Sequence, residues 1–178
     1  MKRTAYLFCC AAMLAATSSR AGAATYEEVK RLDAAYPPGS VVICRSDLPG
    51  DSQMLRHTLT TTRGTVVARR NNITDFDVAV TWLTEGETGA GMTLTFRSTE
   101  RAEKKGVYVR IDPDSMSLSL PGAREEEKKT VLDGFRDNFA RTEHFGAYSE
   151  TEITDFPSYV VRKPGEPPAL CHKETAGS

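Results

Sequence analysis

The chain has 178 residues, 39% of them hydrophobic and 26% charged, with 23 basic against 24 acidic side chains and a formal net charge of −1. A length on this scale suits one domain whose core is large enough to fold without a metal. A near-neutral, mixed-charge surface argues against nucleic acid or an anionic membrane face as the main partner.

Residues 1–24 read as a cleaved signal peptide. Met1-Lys2-Arg3 is a basic start, Tyr6 to Ala16 is an apolar run, and Ala21-Gly22-Ala23 is the small-x-small pattern that signal peptidase accepts, which places cleavage near Ala23 or Ala24. The run is too short to span a bilayer, which takes about twenty apolar residues, and no later stretch approaches that length. Removing it takes away Lys2, Arg3 and Arg20 and leaves 20 basic and 24 acidic residues, a formal charge of −4. Cys9 and Cys10 leave with the leader, so Cys44 and Cys171 remain as one possible pair in an oxidising compartment. The expectation is a soluble, exported chain, periplasmic or secreted, with a Cys44–Cys171 disulfide and residues 25–178 as a single globular domain.

Thr25-Tyr26-Glu27-Glu28 has the spacing of a capping box. Val29, Leu32 and Tyr36 then share one face of a short helix that Pro37-Pro38-Gly39 stops. From Ser40 to Leu120 the apolar period falls to two. Val41 to Cys44 is a compact buried strand; Leu55, His57 and Leu59 read as the inward phase of the next; Gly64 reads as a turn before Thr65 to Arg70, and Asn71-Asn72 as another. Phe76, Val78, Val80 and Trp82 occupy one face of a long strand, residues 85–91 form a glycine-rich hairpin connection, and Met92, Leu94 and Phe96 line the returning strand. Val107, Val109 and Ile111 follow, then a turn at Asp112-Pro113-Asp114, then Met116, Leu118 and Leu120.

Arg124 to about Arg141 predicts a second helix, with Val131, Leu132, Phe135 and Phe139 in one stripe and an i, i+4 pair between Glu125 and Lys129. Thr151 to Val161 reads as a last strand interrupted by Pro157, and residues 163–170 as an extended arm that Cys171 latches to the strand of Cys44. The fold expected is therefore α+β: an antiparallel β-meander of about seven to eight strands, a short N-terminal helix, and the C-terminal-half helix packed on one face. The alternative is a closed or half-open β-barrel of lipocalin-like outline, without any motif of that family.

No nucleophile elbow, phosphate-binding glycine loop or paired-histidine zinc motif is present, so no catalytic residue, metal or cofactor is assigned. His57, His144 and His172 are far apart in sequence. Asp75 and Asp77 share a strand face, where carboxylates can hold a hard cation, though a solvated surface is the plainer reading. Asn72-Ile73-Thr74 is a glycan acceptor if the source cell is eukaryotic. Two stripes remain. Phe76, Val78, Val80, Trp82, Met92, Leu94 and Phe96 form an apolar wall that is either plain core or the lining of a ligand pocket. On the opposite face, Asp75, Asp77, Arg97, Tyr108 and Arg110 make a candidate protein-contact surface. Together these features point to an exported, non-catalytic protein that binds a small apolar ligand or another protein. The alternatives are a small secreted hydrolase built on His57 or His144, and an inhibitor or immunity-type protein.

Overall fold

A computed structural model describes residues 22–50, 57–86, 91–139 and 143–174. Leader residues 1–21, Leu55 and Arg141 lie outside the described residues. Helix α1 (Tyr26–Ala34) starts at the expected capping box: the Glu28 amide donates to Thr25 Oγ1 at 3.3 Å, and the Thr25 amide donates to the Glu28 carboxylate at 2.8 Å. Val29, Leu32 and Tyr36, the predicted apolar stripe, are all buried.

Among the described residues, nine antiparallel strands follow in one sheet: β1 (Val41–Leu48), β2 (Thr58–Arg70), β3 (Ile73–Thr84), β4 (Met92–Glu103), β5 (Gly106–Ser119), β6 (His144–Ala147), β7 (Thr151–Ile153), β8 (Tyr159–Val161) and β9 (Ala169–Lys173). Helix α2 (Glu125–Phe139) stands between β5 and β6. The strand order is β6-β5-β4-β3-β2-β1-β9-β8-β7. The two edge strands, β6 and β7, are successive in the chain and joined by a single 3₁₀ turn at Tyr148–Glu150. That short link pulls the edges together and curls the sheet into a nearly closed barrel. The structure thus has the expected α+β make-up in the barrel form.

Inside the curl, α1 covers the end of the sheet that carries Val42, Val66 and Phe76. At the other end α2 lies over Trp82, whose ring stacks on Phe135 at 5.7 Å. Cys44 and Cys171 are direct neighbours across β1 and β9 and form a disulfide. The C-terminal arm is therefore held as a strand of the barrel as well as latched. No helix among the described residues is long and apolar enough to cross a membrane.

Several local expectations are corrected. Gly64 does not turn the chain; it sits mid-strand in β2 on the inner face, where a Cβ would lie 3.2 Å from Val42 Cγ1. Glycine there lets the barrel wall bend tightly. Asp112-Pro113-Asp114 is not a turn either. Arg97 pairs with Asp112 and Thr95 with Ser117, so residues 113–116 bulge from the β4–β5 ladder and β5 runs on. The bulge moves the inward phase from odd residues (Val109, Ile111) to even ones (Met116, Leu118), the same problem the expected turn was meant to solve.

His57 and Leu59 point outward, and His57 meets the Asp47 carboxylate in an exposed pair. Residues 151–161 form two strands, β7 and β8, around Pro157 instead of one. On α2, Lys129 bonds Asp133 at 2.6 Å, while Glu125 is taken by Lys128.

Candidate functional site

The seven residues of the predicted apolar wall do share the inner face. Val78 stands opposite Phe96, Val80 opposite Leu94 and Trp82 opposite Met92. They divide into two zones. Trp82 is covered by Phe135, whereas Phe76, Val78 and Phe96 line a cavity of about 280 Å³ closed from within by Leu32 and Tyr36 of α1. The Phe135/Phe139 stripe does not fill the wall: Phe139 is 44% exposed.

The cavity is not uniformly apolar. Asp33, Arg69, Glu100 and Tyr159 border it as well. Each arrives by a local feature of the chain. Asp33 lies at i+4 from Val29 and so falls on the buried stripe of α1. Glu100 continues the inward phase of Leu94 and Ser98 on β4, opposite Thr74, which is buried. Arg69 is turned inward by a second bulge: Val66 pairs with Phe76 and Ala68 with Asp75, so Val67 is an extra residue and the phase of β2 flips after it. Its neighbour Arg70 consequently faces out and pairs with Asp75 at 2.5 Å.

The inner polar groups are incompletely matched. Arg69 reaches Asp33 at 3.3 Å through Nη1 and donates to the Tyr36 carbonyl at 3.2 Å through Nη2, while its Nε is buried without a partner. The Glu100 side chain has no hydrogen bond or ion pair among the described residues. Burial, with repulsion from Asp33 second and partly offset by Arg69, pushes its carboxyl up to about 7. Burial also raises Asp33, against the pull of Arg69. Desolvation raises the Tyr159 phenol strongly.

A second cavity of about 270 Å³ adjoins the first and shares Leu32, Asp33, Glu100, Val109 and Tyr159 with it. Tyr148 lines this part; it is 6% exposed and its buried hydroxyl has no partner. Desolvation pushes that hydroxyl to about 12, with Asp33, Tyr26 and Glu100 adding to the rise.

The outer face gathers the other predicted set. Asp75, Asp77, Arg97 and Arg110 border one groove of about 490 Å³, larger than either inner cavity but an open trough between rows of strand side chains. Several of its charges satisfy one another: Arg97 bonds Asp112 at 2.7 Å, and Thr99 donates to Asp75 at 2.9 Å. Tyr108 does not border the groove; it lies two residues before Arg110 on β5, packed against Phe145 at 5.0 Å and under the Arg101 guanidinium.

The three histidines are not brought together. His144 Nε2 lies 2.9 Å from the Phe139 carbonyl, His57 pairs with Asp47, and His172 is exposed on β9. No group of three metal-ligating side chains occurs among the described residues. No known protein family and no curated protein matches the chain, so the site rests on its own chemistry.

Sequence reasoning missed Asp33, Arg69, Glu100, Tyr148 and Tyr159. Asp33 and Glu100 carried a signal, since each is an acid placed in phase with an apolar stripe. Arg69 carried none, because its direction depends on a bulge.

Proposed function

We propose that the chain is an exported, non-catalytic binding protein that holds a small, largely apolar ligand inside the barrel beneath α1. One observation carries the reading: the cavity of about 280 Å³ bounded by Phe76, Val78, Phe96 and Leu32. It lies near the ~300 Å³ lower end of small-molecule sites, and it pairs apolar walls with a few polar groups, as such sites do. Export is supported by the cystine, which persists in oxidising compartments, and by the leader-like pattern of residues 1–24. Ala24 is buried, and its amide donates to the Thr151 carbonyl at 2.7 Å. Cleavage after Ala23 would keep that bond, with Ala24 as the first residue.

The reading is tested by thermal unfolding with octan-1-ol as the apolar probe. The native chain is expected to gain Tm in a saturable way, because a ligand that binds only the folded state raises stability. Val78→Phe, which fills the cavity, is expected to remove the gain while circular dichroism stays unchanged. The proposal fails if the native chain gives no saturable gain, or if the filled variant responds like the native one.

A further inference from the structure

The interior holds a charge pattern that an apolar ligand alone does not explain. Two acids, Asp33 and Glu100, face one guanidinium, Arg69. That guanidinium is already engaged, by Asp33 at 3.3 Å and by the Tyr36 carbonyl at 3.2 Å. Glu100 has no ion-pair partner among the described residues, in surroundings where the repulsion of Asp33 outweighs the attraction of Arg69. A carboxylate in that position is costly unless something positive reaches it.

A second, independent group points to the same space. The Tyr148 side chain is 6% exposed, and its hydroxyl is buried without a hydrogen-bond partner. It borders the cavity that also exposes Asp33 and Glu100. Buried hydroxyls are almost always paired, so an orphan one on a residue of the cavity wall marks a place for a ligand atom. A phenol oxygen accepts a hydrogen bond, as a carboxylate does, and an ammonium group brings three donors and no acceptor.

We infer, on the basis of the binding function proposed above, that the ligand carries a protonated amine on a short apolar body, with the amine against Glu100 and Tyr148 and the body against Phe76, Val78 and Phe96. The room for the body is small: the cavity of about 280 Å³ beside Phe76, Val78 and Phe96 holds roughly nine non-hydrogen atoms at the ~30 Å³ that a water takes in the liquid, and the amine enters the adjoining cavity that Tyr148 borders. The unpaired Nε of Arg69 is an inner donor that invites an acceptor instead, as the Tyr148 O–H also can. A carboxylate ligand placed there would meet both acids, which makes an acid of the same length the competing probe.

The groups that face Glu100 are Asp33 from α1, Arg69 from β2, Tyr159 from β8 and Tyr148 from the 3₁₀ turn. His144, Glu150 and Lys163 border the adjoining cavity. Asp33 is engaged by Arg69; Glu100 and Glu150 have no side-chain partner among the described residues, and of these two Glu100 alone borders both cavities.

Isothermal titration of the purified chain at pH 8 with octylamine, octan-1-ol and octanoate tests the inference. Octylamine is expected to bind about tenfold or more tightly than octan-1-ol, with octanoate weakest. Glu100→Gln should bring amine and alcohol to within about twofold of each other. If that variant does not fold, the native chain is titrated at pH 5.5, where the carboxyl is protonated and the preference should shrink in the same way. Alcohol or acid binding as tightly as the amine, or an amine preference that survives loss of the Glu100 charge, overturns the inference and leaves the apolar cavity standing. Failure of all three probes to bind overturns the inference together with the proposed function.

Discussion

Helix α1 has nine residues and buries Val29 and Leu32, whereas no residue of the fifteen-residue α2 is buried. Both lie on the concave side of one sheet, and α2 has the more obvious apolar stripe in the sequence. The difference is in what each helix meets. The stripe of α1 is continued by Tyr36 and packs against Val66, Val42 and Phe76 where the barrel curls around it. Ionic and polar ties fasten it further: Asp33 to Arg69, and Lys173 to the Ala35 carbonyl at 2.7 Å. Helix α2 lies over the Trp82 end, held by the Phe135 stack and by Arg136, which donates to the Pro113 and Met116 carbonyls at the β5 bulge. The rest of its order is internal, in pairs such as Arg124 with Glu127 and Lys128 with Glu125. Such surface pairs contribute a few tenths of a kcal/mol each. Helical stability in a folded protein comes chiefly from the face that packs, so the shorter helix is the structural one.

The largest expected effect follows from that contrast. Leu32→Ala should cost about 2–4 kcal/mol in urea denaturation, the range for opening a cavity in a packed core. A cost no greater than that of truncating α2 would dissolve the comparison.

A second effect sits beneath α1 and depends on pH. Glu100 is raised from 4.5 to about 7, so the folded state holds this proton more tightly than the unfolded chain. The native protein should therefore lose stability as pH rises from about 4.5 to about 7, and Asp33, also raised, adds in the same direction. Glu100→Gln should be more stable than the native chain at pH 8 by at most about 3 kcal/mol and nearly equal to it at pH 4.5. A difference that does not change with pH would show that Glu100 carries no such penalty.

The smallest effect is on α2. Phe135→Ala should cost about 1 kcal/mol, because a ring that keeps part of its surface in water loses less on removal. Near-UV circular dichroism should register its separation from Trp82.

Much of this architecture was legible because a period of two is hard to mistake. Phe76 to Trp82 and Met92 to Phe96 read correctly as one face, and Thr25 with Glu28 marked the first helix to the residue. What failed to show was phase. Arg69 faces inward only because an extra residue interrupts its ladder, Met116 keeps the inward side after Ile111 through a bulge where a turn was expected, and a bulge has no apolar signature of its own. Asp-Pro-Asp at residues 112–114 is as good a bulge as a turn. Leu59 misled for a related reason, since its alternation was real and its direction was not. The polar interior was legible in part. Asp33 and Glu100 sit where the pattern calls for an apolar residue, and an acid in such a slot is a usable flag. Tyr148 could be placed only once the 3₁₀ turn had closed the barrel.

The extra residue at Val67 decides which arginine of the Arg69-Arg70 pair looks into the barrel and which looks into water. The internal charge thereby depends on the ladder's register as much as on residue type. A slip that took Val67 into the pairing would exchange the two arginines without altering either, whereas deletion of Val67 would leave Arg69 opposite the inward Thr74.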